Sequence, residues 1–167
     1  IEKTFPDRKV RHLNFADALR EMVWRDFNLG NLGLTPSDLT KPAIKDMMLT
    51  DTKTVRQVLQ MIGQLYRDID EDYWVSKYQN AFIEGWFDGL VTVTSDVRYA
   101  NEVECIEQMD GVVFRLSRQV NNDNHWSETS LDGWPWNPDI FIDNQPLTER
   151  ETLDVALKII TPYIERK

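Results

Sequence analysis

Leu90-Val91-Thr92-Val93-Thr94-Ser95-Asp96-Val97-Arg98-Tyr99-Ala100-Asn101-Glu102 is the stretch whose reading decides the fold. Its first five residues are apolar or β-branched, and such a run between polar flanks reads as a buried strand. An acid and an arginine, Asp96 and Arg98, follow at once. A helix over Asn101–Met109 comes next, with Val103, Ile106 and Met109 on one face. The Asp110-Gly111 turn then leads into Val112–Leu116, a second strand. Strand, helix and strand in this length form a βαβ crossover with parallel strands. Open α/β sheets place ligand chemistry beyond the carboxyl ends of such strands, so Asp96 and Arg98 are candidate site residues.

The same alternation extends to both sides. Val10–Leu13 reads as a short strand, and Phe15, Leu19, Met22 and Val23 recur at helical spacing over about Ala16 to Phe27. Gly30 and Gly33 punctuate a loop from Asn28 to Pro36. Val55, Val58, Leu59, Ile62 and Tyr66 mark another helix, with Thr52 or Thr54 as its N-cap. Asp72 opens a helix carrying Trp74, Val75, Tyr78, Ala81 and Phe82. Ile140–Ile142 is a further short strand, and Thr148-x-x-Glu151 is a capping box for a last helix. The class is α/β, a mostly parallel sheet flanked by helices.

Composition narrows the function. With 28 acidic against 19 basic residues and a net charge of −9, the chain is a poor candidate for direct nucleic-acid binding, which relies on clustered Lys and Arg. A small phosphorylated ligand needs only a few placed arginines. No apolar stretch reaches membrane-spanning length, and no signal-peptide pattern opens the chain. The single cysteine, Cys105, cannot form an internal disulfide and fits a reducing cytosol. The surplus of aromatic residues fits a homodimer. Gln119–Trp136, rich in Asn, Asp, Ser and Gly, is the segment expected to be mobile.

Five ordered pieces resemble one family, the phage-type deoxynucleoside monophosphate kinases of the P-loop superfamily. Phe15-Ala16-Asp17-Ala18-Leu19-Arg20-Glu21 resembles its F-A-D-x-[LIV]-[KR] helix start. Leu59-Gln60-Met61-Ile62-Gly63, Arg67 and Asp72-Tyr73-Trp74-Val75 resemble its L-Q-x-[IL]-G…R…D-x-W-[VI] block. Ser95–Glu102 resembles D-V-R-[FY]-x-N-E, Asp123–Glu128 resembles H-x-S-E, and Ile142-Asp143-Asn144 resembles the closing I-x-N.

The resemblance implies a single domain over residues 1–167 with a P-loop kinase-like three-layer architecture lacking its first strand. A helical acceptor-binding insertion would occupy about 28–88 and a lid about 119–136. It implies ATP-dependent phosphorylation of deoxynucleoside 5′-monophosphates, with ATP and Mg²⁺ required and small nucleotides as partners. The place would be the cytoplasm, a host's if the gene is a phage's. Family members begin with a strand and a G-x-x-x-x-G-K-type loop that is not in this sequence. Roughly 20 further residues are therefore expected upstream. A P-loop-free module that binds the monophosphate without catalysis is the alternative.

The same resemblance distributes roles. Arg67 would grip the acceptor phosphate, or pair with the acids at 68–72. Arg98 and Arg118 would neutralise charge on the transferring group, because guanidinium forks match phosphate oxygens and stay charged; an ion pair and a solvated strand end are the plainer readings. Asp96 would hold Mg²⁺ through water or orient a substrate arginine, or else cap the following helix or its turn. Asp17 and Arg20 would face the acceptor pocket or form a plain exposed helix face, Glu102 is assigned to substrate binding, and Trp74 would stack on the base or simply fill the core. His125, Ser127 and Glu128 would belong to the lid, Asn144 would contact adenine, and no protein metal site is expected. Cys105 reads as a packing residue.

Overall fold

The apolar stripe that begins at Phe15 winds into a helix, α1 (Asp17–Asp26). Its Leu19 and Val23, four residues apart and hence on one face, are buried with Leu29, Leu39, Val55, Val58 and Trp74 in one apolar cluster. The computed structural model describes residues 9–86, 90–117, 130–136, 141–143 and 148–165. The chain divides into two units. The first comprises His12–Trp86 with Val93–Asp96; the second gathers the described residues before His12, those of 90–92 and those from Val97 on.

The first unit is helical. After α1 come two 3-10 turns, Leu29–Leu32 and Pro36–Thr40, then α2 (Pro42–Lys45), α3 (Val55–Ile69) and α4 (Tyr73–Glu84). The stretch from Asn28 to Pro36, expected as a loop, is therefore partly helical. Leu29 and Leu39 are 1% and 0% exposed, so apolar burial holds both turns against the core. Asn28, at φ 51°, supplies the left-handed residue that joins α1 to the first turn, a conformation asparagine tolerates. In the second turn the Lys41 ammonium and the Thr35 hydroxyl and N–H hold the Asp38 carboxyl well below the usual carboxylate range.

Thr54 is the cap of α3. Its hydroxyl accepts from the Gln57 N–H at 3.3 Å, and the Gln57 side chain accepts from the Thr54 N–H at 3.0 Å. This reciprocal pair satisfies two donors that a helix start would otherwise leave open. Asp72 stands ahead of α4 as expected but makes no side-chain cap there. α3 approaches α1 at Gly63, where a Cβ would lie 3.2 Å from Leu19 Cδ2. The opposite face of α3 leaves Met61, Leu65 and Ile69 exposed.

In the second unit β1 (Lys9–His12) pairs with β2 (Leu90–Val93), and β3 (Arg115–Ser117) pairs with β4 (Phe141–Asp143). The β3–β4 pair is parallel, with Arg115 opposite Phe141 and Ser117 opposite Asp143. Helix α5 (Ala100–Gln108) follows β2, and α6 (Glu149–Glu165) ends the chain's described part. The class is α/β, as the sequence indicates. The pairing within the βαβ segment differs from expectation: β2 lies beside β1, and β3 beside β4. A crossover fixes the order of its strands in the chain, while adjacency depends on partners supplied from elsewhere.

α5 ends in a Schellman arrangement. The Gly111 N–H donates to the Ile106 carbonyl at 2.8 Å, and the Asp110 N–H to the Glu107 carbonyl at 3.0 Å. Asp110 itself takes φ 59°. Gly111 is required by close approach, since a Cβ there would sit 2.5 Å from Ile106 Cγ2 and 2.8 Å from the Ile106 carbonyl oxygen. α6 opens on the expected capping box, with Glu151 accepting from the Thr148 N–H at 2.8 Å and its hydroxyl at 2.7 Å. No described helix is long and apolar enough to cross a membrane. Gly111→Ala is expected to destabilise the protein by about 1–3 kcal/mol through overpacking, read as a lower urea midpoint at unchanged m-value.

Candidate functional site

The segment after β2 is tied back to the entry of α1 by a run of hydrogen bonds within the first unit. The Leu13 N–H donates to the Val93 carbonyl at 3.1 Å. Asn14 Oδ1 accepts from both the N–H and the hydroxyl of Ser95, each at 3.0 Å. The two carboxylate oxygens of Asp96 accept from the N–H groups of Phe15 and Ala16 at 3.0 and 3.1 Å. The Tyr78 hydroxyl meets Thr94 Oγ1 at 2.7 Å, and the Tyr78 ring stacks on Phe15 with centroids 4.0 Å apart.

Asp96 does not cap α5, whose N-cap is Tyr99; it accepts the N–H groups at the entry to α1, 80 and 81 residues away. Burial pushes its carboxyl above the ordinary value, outweighing the two N–H donors and the nearby Arg20 charge that act in the opposite sense. Asp17 and Arg20 belong to the same cluster. Asp17 Oδ2 accepts from the Asn14 N–H at 2.7 Å, and its Oδ1 pairs with Arg20 Nη2 at 2.5 Å. The Arg20 side chain is only 11% exposed, so it serves first as the positive centre that Asp17 and Asp96 share.

Arg67 lies on the last turn of α3 and bends back along its own helix. Its Nη1 donates to the Gly63 carbonyl at 3.3 Å, and the same carbonyl accepts from the Trp74 indole N–H at 3.0 Å. Trp74 is 2% exposed and is ringed by Tyr66 and Tyr73 at centroid distances of 5.5 and 4.8 Å. Of the two roles left open for it, the core role is the one its burial fits. A base has no free face of this indole to stack on.

The second unit holds Arg98 and Glu102. Arg98 is exposed, and its N–H donates to Glu102 Oε2 at 2.7 Å. The Tyr99 N–H donates to the same oxygen at 3.3 Å. Glu102 is 2% exposed, so its carboxylate serves the first turn of α5, where an acid also suits the helix dipole. In this position Glu102, assigned to substrate binding from the resemblance, holds the backbone of Arg98. Cys105, 2% exposed, is a packing residue, as expected. Among the described residues no group of three His, Cys, Asp or Glu side chains could hold a metal ion. Arg118, His125, Ser127, Glu128 and Asn144 lie outside the described residues.

Three participants were not foreseen. Gly63 sits inside a recognisable motif and Asn14 just ahead of one, but they act through a main-chain carbonyl and a side-chain amide, which motif spacing does not expose. Ser130, whose hydroxyl donates to the Arg98 carbonyl, carries no sequence signal, being one small polar residue in a polar stretch.

The α/β class, the exposed arginine that follows a strand and the helical block before it are features of a P-loop kinase-like fold without a full sheet. The family model for deoxynucleotide monophosphate kinase matches residues 22–152, and the chain belongs to that family. A phosphotransferase role in deoxynucleotide metabolism follows from that membership. No curated protein and no solved structure matches the chain.

Asp96→Ala is expected to destabilise the protein by about 2 kcal/mol, because two half-buried N–H groups lose their acceptor. Asp96→Asn, which keeps one acceptor oxygen, is expected to cost less. The raised carboxyl of Asp96 also predicts a pH effect. The folded state holds this proton more tightly than the unfolded chain does. The stabilisation that results is full below the ordinary aspartate value of about 4 and is lost as pH rises through the raised one. Urea titrations across that window should show the stability of the wild type, relative to Asp96→Asn, falling with pH.

Proposed function

We propose that the protein transfers the γ-phosphoryl group of Mg-ATP to a deoxynucleoside 5′-monophosphate. An oxygen of the acceptor phosphate forms the new bond to Pγ, the bond from Pγ to the β,γ-bridging oxygen breaks, and ADP leaves with a deoxynucleoside diphosphate as the other product. The observation that carries this reading is the family match over residues 22–152.

Phosphoryl transfer asks the protein for positioning and charge neutralisation rather than covalent chemistry. Arg67 is the residue we assign to the acceptor phosphate. Its guanidinium has five N–H donors in a fixed fork, and the Gly63 carbonyl, taking one of them, restricts how the fork can turn. Arg98 is assigned to the charge that develops on the transferring group. It is exposed while its backbone is held, which suits a side chain that must reach a ligand from a fixed root. Mg²⁺ arrives with the ATP phosphates in this reading. Asp17, Arg20 and Asp96 fix the entry of α1 and hold the scaffold on which Arg67 is carried.

Steady-state kinetics of the full-length protein with purified dNMPs test the assignment. Arg67→Ala should raise the acceptor KM by about 10- to 100-fold, the worth of a charge-assisted hydrogen bond. Arg98→Ala should lower kcat by about 100- to 1,000-fold with smaller changes in KM. An unchanged acceptor KM in the first variant would remove Arg67 from the pocket. Calorimetry in which the protein binds dNMP but ignores ATP would overturn catalysis itself and leave a monophosphate-binding module.

A further inference from the structure

We propose that Ser130 is a positioning residue for Arg98, acting from a turn that Arg115 locks in place. The inference rests on the phosphoryl-transfer role given to Arg98 above and adds to it the device that aims the side chain.

The stretch Ser95–Tyr99 lies between β2 and α5 and has no ladder or helix of its own. The N–H groups of Ser95, Arg98 and Tyr99 there donate to side chains instead. At Arg98 both main-chain groups have such a partner. The N–H donates to Glu102 Oε2 at 2.7 Å, and the carbonyl accepts from the Ser130 hydroxyl. An exposed arginine thus has its backbone held from both sides, by a buried carboxylate and by a serine 32 residues further along the chain.

A serine on a loose loop would be a poor anchor, but Ser130 opens a knotted turn. The Leu131 carbonyl accepts from Arg115 Nη1 at 3.2 Å, Trp136 Nε1 at 3.1 Å and the Trp134 N–H at 3.1 Å. Arg115 Nη2 also pairs with Asp132 Oδ1 at 2.9 Å, and its guanidinium lies 5.5 Å from the Trp136 ring centroid. Arg115 is the first residue of β3, so the turn is fixed to a strand. The chain of restraint runs from β3 through Arg115 to the turn, and from Ser130 to the Arg98 carbonyl. A long side chain magnifies small rotations at its root. A misplacement of about 1 Å at a reacting centre can cost roughly a hundredfold in rate.

The test is a double-mutant cycle on the full-length protein, with kcat and both KM values measured for each variant. Ser130→Ala should lower kcat about fivefold, the worth of one hydrogen bond, with both KM values held. Ser130→Thr, which keeps the hydroxyl, should restore it, and Arg115→Met should lower kcat in the same direction. In an Arg98→Ala background, Ser130→Ala should add no further loss. If Ser130→Ala keeps the wild-type kcat, or lowers it equally with and without Arg98, the proposal is overturned while the role of Arg98 stands. If Arg98→Ala itself retains kcat, that reading fails and the positioning role falls with it.

Discussion

Everything described in the helical unit depends on how Asp96 meets the start of α1. A carboxylate at the end of one chain segment accepts the N–H groups of Phe15 and Ala16, about eighty residues earlier. With the Asn14–Ser95 pair and the Leu13–Val93 bond beside it, it forms an unbroken tie along residues 13–16. Its cost is the partial burial of a charge, which shows in the upward displacement of the carboxyl. Its return is orientation. Once the entry of α1 is fixed, Leu19 and Val23 meet α3, and Gly63 allows the approach.

The two arginines assigned to substrate are managed by the same principle in different materials. Arg67 is restrained by a main-chain carbonyl that it shares with a buried indole. Arg98 is restrained through its own backbone, by the buried Glu102 on one side and Ser130 on the other. Arg67 is held at its guanidinium and Arg98 at its root, while the apolar core or a capped helix supplies the rigidity. Restraint of this kind reduces the entropy that a ligand would otherwise have to remove on binding. Glu102 shows how a motif residue can serve the site through the backbone: its Oε2 takes two backbone donors at a helix start.

Much of the local structure was legible beforehand. The helical stripes of α1 and α3, the Thr54 and Thr148 caps and the Asp110-Gly111 turn all follow from residue periodicity and short-range hydrogen bonding. These interactions span three or four residues, so their partners can be read from spacing alone. Asp96 was legible as a special residue but not in its role, because its partners are backbone groups far off in sequence. Backbone N–H groups carry no residue identity, so no pattern announces them. Trp74 was open between core filling and base stacking, and its burial fits the core; Glu102 carried only a motif signal, and the structure places it at the start of α5.

By itself the sequence determined the α/β class, the longer helices, the caps at Thr54 and Thr148, and the family, since each rests on periodicity or on ordered motifs. Tertiary structure alone decided the pairing of the strands, with β2 beside β1 and β3 beside β4. It alone joined Asp96 to α1, Gly63 to Arg67 and Ser130 to Arg98. The physical reason is the range of the forces involved. Helix signals are local and repeat every turn, whereas strand adjacency and side-chain-to-backbone bonds form only after distant segments have been brought together by burial of a common core.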